Sequence, residues 1–492
     1  MAKVKPAIIF LIFLTIICQI GVGQSSLLLT PALQEAYKDF TSLKIQSGKS
    51  KISLIRLKDP HNAMVDYIEN YGDFFTLFIQ ENKSQYKELK NNKDIRLRKI
   101  QASDSSSPYY LYCQAEIILQ WAIIKLKFGD KINAARDVYE AYKLLERNKE
   151  RFPDFIENNK SLSIIHALAE SVPGWVRKII GLKGSVALGT KEIKLLAERA
   201  ATENTLFKDE IIAIYSYILF YSNNQKEEAY ALYDRYGLDH RTNPLIAFLK
   251  ATMAQKNGNN SIALRILEER PKGSEYLPFY YLDFMYGKFK LYRLDKDADI
   301  HITKFLNKFN GQHYIKEAWQ KMAWYSLVID NDLTAYQQAI SNCKSNGQAL
   351  IDEDIQALKE AKATTMPNQL LLKSRLLYDG GYYAKCQNLL ILNSDKFIKA
   401  IHDGEYYYRL ARVTDALKNY TDALEFYDLT IIKSDPGKYY ACSAALHAGL
   451  IYESSRKYEL ARQYFEKCLS LDPAGYSSSL HQKAKSGLSR IQ

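Results

Sequence analysis

Residues 404–436 read GEYYYRLARVTDALKNYTDALEFYDLTIIKSDP, and residues 437–473 read GKYYACSAALHAGLIYESSRKYELARQYFEKCLSLDP. The two segments align with each other, pairing Tyr420 with Tyr458, Ala423 with Ala461, Tyr427 with Phe465 and Pro436 with Pro473. Each segment has the spacing of two short amphipathic helices. A small residue of the first helix, Ala411 or Gly449, stands where the second helix would cross it. Because a large side chain there would hold the backbones apart, the pattern predicts closely packed helical hairpins.

The same spacing continues towards the N-terminus. A small residue anchors the second helix of each hairpin, at Ala134, Ala229, Ala263, Ala298, Ala335, Cys386, Ala423 and Ala461. From Ala229 onward neighbouring anchors are 34 to 38 residues apart, with one longer interval after Ala335. Another small residue stands twelve positions before most anchors, at Ala122, Ala251, Ala323, Ser374, Ala411 and Gly449. Tyr217 and Tyr286 break this rule, so their hairpins are less clearly defined.

Two intervals are too long for one hairpin. The interval between Ala134 and Ala229 predicts an extra helical pair, Leu162 to Glu170 and Ala187 to Thr202. The interval before Cys386 predicts one added helix, Asp352 to Ala363. After Pro473 the polar segment SSSLHQKAKSGLSRI predicts a final helix that covers the open end of the stack, which repeat proteins need for solubility.

This pattern resembles the tetratricopeptide repeat, a pair of helices with a period of about 34 residues. The last unit matches best, since Gly449, Tyr452, Tyr458, Ala461, Phe465 and Pro473 are all in register. The resemblance implies an all-α fold, an α-solenoid in the form of a right-handed superhelix of helix hairpins with extra helices. In such a stack the first helices of successive hairpins line a concave groove.

The middle of the chain has a second resemblance, to the tetratricopeptide-repeat 39 and yeast inclusion-body-clearance proteins. It is carried by SVPGWVRKIIGLKG at 171–184, ALG at 187–189, FLKATMAQKNGNNSIALRILEE at 248–269 and EAWQKMAWYSLVIDND at 317–332. The resemblance implies a helical-repeat, non-enzymatic role and offers no catalytic residue. The chain departs from that family by its export signal, so the family's cellular location does not transfer.

The N-terminus predicts export. Lys3 and Lys5 precede an apolar run from Ala7 to Ile20, and Gly21 and Gly23 follow. This is the layout of a secretory signal peptide cleaved near Gly23–Gln24. A retained anchor stays open, whereas lipidation at Cys18 is disfavoured because Ile17 is not the small residue that such processing prefers. We expect residence in the periplasm or cell envelope, and the sequence bias looks like that of a bacterium of the Bacteroidetes type.

The boundaries follow from these features: signal peptide 1–23, N-terminal helical segment 24–108, repeats with the inserted pair 109–345, and C-terminal repeats with a final helix 346–492. The net charge of +12 is modest for 492 residues and spread along the chain, so nucleic acid is not an expected partner. After cleavage the cysteines are Cys113, Cys343, Cys386, Cys442 and Cys468. An odd number without paired spacing predicts no disulfide framework, although one bridge stays open.

No catalytic or metal-binding motif stands out. The eight histidines are scattered, and none forms a two-histidine metal pair on one helix face. The sequence contains no Gly-x-Ser-x-Gly turn. We therefore expect no enzyme, no cofactor and no metal, while an activity in residues 24–108 is left open by motif analysis alone.

Recognition remains as the function. By register the groove would present Tyr280, Asp283, Gln320, Trp324, Tyr408 and Arg412. Trp324 and Tyr408 would anchor a peptide or stack on a sugar, or they are packing residues. The leading hypothesis is an interaction scaffold for an unknown protein or peptide in the periplasm or cell envelope. The alternative is a carbohydrate-binding component of an envelope nutrient-uptake system.

Overall fold

The fold is built from α-helices. A computed structural model describes residues 25–170, 172, 177, 181–203, 205–397, 403–435, 437–473 and 477–491. Within these ranges the only β-type pairing consists of two isolated bridges, Ser25 with Ser103 and Ser26 with Asn62. The predicted all-α class of stacked repeat hairpins is confirmed. Across these same ranges, every helix is too short or too polar to cross a membrane.

The chain forms two compact units, Met1–Lys250 with Glu269–Phe279, and Ala251–Glu268 with Tyr280–Gln492. The boundaries predicted at 108/109 and 345/346 stay predictions. The N-terminal unit contains α1 Pro31–Thr41, α2 Ile45–Lys58, α3 Met64–Gln80, α4 Lys83–Leu89, α5 Asn92–Gln101, α6 Tyr109–Lys127, α7 Lys131–Arg151, α8 Asn159–Ala169, α9 Val186–Thr202, α10 Lys208–Tyr217 and α11 Lys226–Arg235.

Helices α12 Pro244–Lys256 and α13 Asn260–Glu269 follow in the sequence. The C-terminal unit then contains α14 Tyr280–Arg293, α15 Ala298–Lys308, α16 Ile315–Tyr325, α17 Leu333–Ser345, α18 Asp352–Lys362, α19 Gln369–Asp379, α20 Tyr383–Ile391, α21 Asp403–Ala416, α22 Tyr420–Lys433, α23 Tyr440–Ser454, α24 Tyr458–Ser470 and α25 Ser477–Arg490. Its hairpins are α14–α15, α16–α17, α19–α20, α21–α22 and α23–α24.

The last hairpin shows why small residues stand at the crossing points. A Cβ added to Gly449 of α23 would lie 2.7 Å from the ring of Phe465 in α24. Ala461 and Phe465 are fully buried, in one apolar cluster with Leu446 and Ala484. The glycine therefore lets the two helices approach until the phenylalanine fills the space between them.

Three hairpins depart from the predicted spacing by one residue. A turn of π-helix, Ile218–Ser222 after α10 and Ser326–Asp330 after α16, adds a residue before the second helix. The small residue opposite Ala229 is consequently Ser216 instead of Tyr217, and its hydroxyl lies 2.6 Å from that of Tyr233.

For the same reason Ala335 is only half-buried, while Tyr336 faces the core. The prediction that Ala335 anchors its hairpin is therefore wrong by one position. In α14 the close approach is made by Gly287, since a Cβ there would lie 2.7 Å from Ile302 Cγ1. Tyr286, which seemed to break the rule, is its immediate neighbour.

The predicted extra helices are present as α8, α9 and α18, and the polar final helix as α25. Within the predicted N-terminal helical segment, residues 83–101 form two helices, α4 and α5, separated by Lys90 and Asn91. The predicted signal peptide at 1–23, most of the 171–184 segment and Pro436 lie outside the described residues.

Candidate functional site

A cavity of about 750 Å³ opens in the C-terminal unit, and we call it the large cavity. One wall is formed by α18, and the others come from the first helices α14, α16 and α19 and from the segment that leads into α23. They are Tyr292 of α14, Glu317, Gln320, Lys321 and Trp324 of α16, Arg375 and Asp379 of α19, and residues 437–440 at the start of α23. This is the face that repeat hairpins expose to a ligand.

Trp324 lies in the wall of this cavity and is held on all sides. Its indole N–H donates to Glu360 Oε1 of α18 at 2.5 Å. The Lys321 ammonium lies 3.8 Å from the ring centroid, and the Arg375 guanidinium carbon lies 4.7 Å from it. Only 1 % of Trp324 is exposed. The ring therefore acts as a platform for cations instead of an open stacking surface.

Neighbouring polar side chains of α16 are also buried. Gln320 donates to Glu360 Oε2 at 2.7 Å, and Lys321 donates to Gln320 Oε1 at 2.8 Å. Glu317 lies 3.3 Å from Lys288 and 3.6 Å from Lys321. Burial lowers the pKa of Lys321 to about 8, with Arg375 and Lys288 contributing and Glu317 opposing. Such a buried, paired set fixes the side chains that form the wall.

The added helix α18 forms the opposite wall. Its Asp354 accepts hydrogen bonds from the backbone N–H groups of Tyr314, at 2.7 Å, and Glu317, at 3.0 Å, at the start of α16. Ala357 and Ala361 are buried with Cys343 in a small apolar cluster. Gln356 and Lys359 are exposed and line the cavity. Because Asp354, Ala357 and Ala361 hold α18 against the hairpin α16–α17, this helix forms a fixed wall of the large cavity.

A second, smaller cavity of about 210 Å³ lies beside the first, and we call it the arginine cavity. It is lined by Ser374, Arg375, Tyr378, Asp379, Cys386, Tyr408, Arg409, Arg412 and Tyr439. The two cavities share Arg375, Asp379 and Tyr439. A ligand in one therefore meets side chains that also line the other.

Arg412 and Arg409 have different partners. Arg412 donates to the hydroxyls of Tyr408 at 3.0 Å and Tyr378 at 2.8 Å. Arg409 donates to Glu405 Oε1 through Nε at 2.9 Å and Nη2 at 2.5 Å. Burial opposes the charge of Arg412, but the tyrosine oxygens outweigh it and raise its pKa above the ordinary value. Both guanidinium groups are therefore charged.

The structure brings four of the six predicted groove residues to these cavities. Gln320 and Trp324 line the large cavity, and Tyr408 and Arg412 line the arginine cavity. Asp283 is buried and lies 3.1 Å from Lys304. Tyr280 packs against the cluster around Phe284. Neither Tyr280 nor Asp283 lines either cavity.

Sequence reasoning missed Arg375, which lies over Trp324 and belongs to both cavities, and Glu360, which binds Trp324 and Gln320. Arg375 directly follows the small residue Ser374, so the hairpin register could have placed it on the first-helix face. Nothing in the local sequence indicates the role of Glu360, because its position depends on how α18 packs against α16.

In the N-terminal unit the buried charges are compensated. Lys160 is 1 % exposed and lies 2.6 Å from Glu116 Oε2 and 2.9 Å from Glu210 Oε2. Tyr37 donates to the other oxygen of Glu210. In the part of the chain that the structure describes, no group of three His, Cys, Asp or Glu side chains is placed to hold a metal ion. We interpret the contacts of Lys160 with Glu116 and Glu210 as interactions that stabilise the core of the N-terminal unit.

A basic patch of the sequence comprises Lys90, Lys93, Arg96, Arg98 and Lys99, and three of these residues have carboxylate partners. Lys93 lies 2.8 Å from Asp137, and Lys99 lies 3.0 Å from Asp66. Arg96 is buried and lies 2.6 Å from Asp73. We therefore interpret Lys93, Arg96 and Lys99 as residues that stabilise the N-terminal unit.

Comparison with known proteins agrees with the hairpin geometry at the C-terminal end. Residues 443–474 match the family model described as "Tetratricopeptide repeat". No curated protein matches the chain. Among solved structures, the chain is similar to one titled "Circular tandem repeat protein with novel repeat topology and enhanced subunit contact surfaces". That match has 13 % identity and a TM-score of 0.15, and it covers 93 % of this chain and 95 % of the other. Residues 443–474, which contain most of hairpin α23–α24, are thus similar to a tetratricopeptide repeat.

Proposed function

We propose that this protein is a non-enzymatic scaffold that binds a segment of a partner protein in the large cavity of its C-terminal unit. The observation that carries the proposal is the origin of the walls, since the first helices of three successive hairpins, α14, α16 and α19, contribute to them. Tetratricopeptide repeats commonly hold protein partners on that face. Its lining also contains the half-buried Arg375, Tyr439 and Tyr440, which are of the residue types enriched in binding hot spots.

The alternative, a carbohydrate-binding component of an envelope nutrient-uptake system, requires aromatic rings with an open face. Trp324 is almost completely buried, with a cation 3.8 Å from its ring centroid. The lining of the large cavity instead contains both positively and negatively charged side chains, including Lys359, Glu353 and Lys438. Such a surface suits the mixed side chains of a polypeptide better than the uncharged face of a sugar ring. We therefore prefer a protein partner.

The location belongs to the same proposal. The signal-peptide pattern at 1–23 supports export to the periplasm or cell envelope. The segments at 171–184, 248–269 and 317–332 support kinship with the tetratricopeptide-repeat 39 branch, and the residue bias supports a Bacteroidetes-type source. A fusion of residues 1–30 to a reporter that is active only after export tests the first of these, with Lys3 and Lys5 both changed to Glu as the control.

Site-specific photocrosslinking tests the partner. A benzoylphenylalanine at Gln356 is exposed in the wall of the large cavity, and one at Ile432, which is 75 % exposed on a second helix, serves as the matched control. We expect a protein adduct from position 356 that is absent from position 432, and we expect Trp324→Ala to reduce it. Equal labelling at the two positions, or glycan binding without any protein adduct, would overturn the proposal.

A further inference from the structure

We infer that the arginine cavity binds a side-chain carboxylate of the partner segment, so that the partner carries an Asp or Glu at the position that reaches Arg375, Arg409 and Arg412. This inference rests on the proposed function and adds a chemical requirement to it. Three observations carry it: the balance of charge in the two cavities, the partners of Arg412, and the carboxylate that the chain itself places in the large cavity.

The two cavities differ in charge. The lining of the large cavity holds equal numbers of cations and carboxylates, Lys321, Lys359, Lys362, Arg375 and Lys438 against Glu317, Asp352, Glu353, Glu360 and Asp379. The arginine cavity has three guanidinium groups and only Asp379 in its lining. Glu405 neutralises Arg409 from outside the lining. One positive charge remains, which a single carboxylate would balance.

Arg412 is the source of that excess. In the described part of the chain no carboxylate oxygen lies within 4.0 Å of its nitrogens, and its bonds go to the two phenol hydroxyls of Tyr378 and Tyr408. Asp415, on the same helix, accepts instead from the Tyr427 hydroxyl at 2.9 Å. A half-buried guanidinium with neutral hydrogen-bond partners has lost part of its hydration without gaining a directly bound counter-charge, and Asp415 offsets it only through space. An incoming carboxylate supplies the missing charge.

The neighbouring large cavity already holds a side-chain carboxylate of this chain. Glu360 reaches the large cavity from within helix α18 and accepts from both Trp324 and Gln320. A carboxylate presented by the middle of a segment is therefore already accommodated on this surface. The arginine cavity, at about 210 Å³, is large enough for the end of one Asp or Glu side chain, and guanidinium groups bind carboxylates in a planar, two-point geometry.

The experiment titrates the full-length protein, labelled with ¹⁵N-arginine, with N-acetyl-glutamate N-methylamide and follows the Nε–Hε signals. N-acetyl-glutamine N-methylamide is the neutral control, N-acetyl-alanine supplies a chain-terminal carboxylate, and inorganic phosphate supplies another oxyanion. We expect the blocked glutamate to shift the signals that disappear in Arg375→Lys and Arg412→Lys. Arg412→Gln should weaken binding about tenfold or more, as for the loss of a charge-assisted bond. Arg490→Gln, which removes an exposed arginine on α25, should leave it unchanged.

Equal affinity for the glutamate and glutamine probes overturns the inference, as does tighter binding of phosphate or of N-acetyl-alanine. Because Arg412→Gln could loosen the hairpin, its thermal unfolding is compared with that of Arg412→Lys, which keeps the charge and should keep binding in part. The outcomes separate the two proposals: a crosslink from position 356 that survives while the glutamate probe fails removes only the carboxylate site. Loss of the position-specific crosslink removes the proposed function itself.

Discussion

The indole N–H of Trp324 donates to Glu360, and these two residues lie on helices of different origin, α16 of a repeat hairpin and the added helix α18. The bond connects the insertion to the wall of the large cavity. Gln320 adds a second bond to the same carboxylate. Through Glu360 the insertion sets the position of the side chains on which Lys321 and Arg375 rest.

Replacing Glu360 should therefore destabilise the C-terminal unit. Glu360→Ala leaves the buried indole N–H and the Gln320 amide without their acceptor, which costs about 1–3 kcal/mol. The neighbouring Lys359→Ala removes an exposed side chain from the same helix and should change the free energy of unfolding by less than about 0.5 kcal/mol. Urea unfolding measures both, and hydrogen exchange at 352–362 should accelerate only in Glu360→Ala. Equal effects of the two substitutions would contradict the role assigned to this bond.

The close packing of the last hairpin leads to a second prediction, on the stability of two tryptophan variants. Ala461 is fully buried where α23 and α24 cross, while its neighbour Leu460 is 37 % exposed. Ala461→Trp should force the helices apart and cost about 3 kcal/mol, because Ala461 is fully buried in one cluster with Phe465 and Leu446. Leu460→Trp should be tolerated. Limited proteolysis provides the measurement: new cleavage sites between 440 and 491 are expected in the first variant only, and an unchanged pattern there would refute the register.

These relationships show how far the sequence leads. The hairpins follow from periodicity, since small residues such as Gly449 and Ala461 can stand together in a close crossing. The π-turns at Ile218–Ser222 and Ser326–Asp330 do not, because one extra residue within a helix leaves the composition of the segment unchanged. They move the buried positions from Tyr217 to Ser216 and from Ala335 to Tyr336.

The residues that line the two cavities also fall into two groups, those that the hairpin register could place and those that it could not. Trp324 and Tyr408 could be placed by register, because a repeat assigns each first-helix position to one face. Arg375 and Glu360 could not be recognised as their neighbours, since both contacts join separate hairpins or the insertion. Tyr280 and Asp283 stand at equivalent positions by register, yet packing against Phe284 and pairing with Lys304 occupy them. Long-range packing, which no local pattern encodes, decides such cases.

His447 should report on the charge of Arg412. Burial, with Arg412 and Lys483 nearby, lowers the pKa of His447 to about 3, although Asp415 Oδ2 lies 3.9 Å from Nδ1 and Tyr427 stacks on the ring. The native imidazole is thus neutral, and the unfolded chain binds more protons below the ordinary pKa of 6.5. Stability contributed by His447 above pH 6.5 is lost as the pH falls, at up to about 1.4 kcal/mol per unit.

Arg412→Gln removes the nearest positive charge and should raise the pKa of His447, so its loss of stability on acidification should be smaller. Titration of the His447 ring signals by NMR measures the shift directly. Lys457→Gln, which removes a charge on the loop before α24, is the control and should leave the titration unchanged. A lower pKa in Arg412→Gln would show that Asp415 and not Arg412 governs this histidine.

The redox state of Cys442 and Cys468 provides a test of the predicted export. Their Sγ atoms lie 3.5 Å apart in the buried core of the last hairpin. The Cys468 thiol and His481 lower the pKa of Cys442 to about 7 against the effect of burial, so part of Cys442 is ionised near neutral pH. Because Cys442 is 1 % exposed, a dissolved disulfide reaches it before the hairpin closes or when the hairpin opens. With a small disulfide such as oxidised glutathione, the Cys442 thiolate displaces one glutathione thiol. The Cys468 thiol, whose pKa the neighbouring Cys442 raises in the reduced protein, then loses its proton to water and attacks the mixed disulfide at Cys442. This attack releases the second glutathione thiol, and the two electrons end on glutathione. If the chain is exported into an oxidising compartment, we expect this bridge, worth about 3 kcal/mol for a loop of this length. Alkylation under denaturing, non-reducing conditions should then label three cysteines in the exported, cleaved protein and five in residues 24–492 made in a reducing cytosol, with Cys442→Ser labelled at four in both. Five labelled cysteines in the exported chain together with ready oxidation in vitro would reject the location, and failure to oxidise in vitro would reject the pairing.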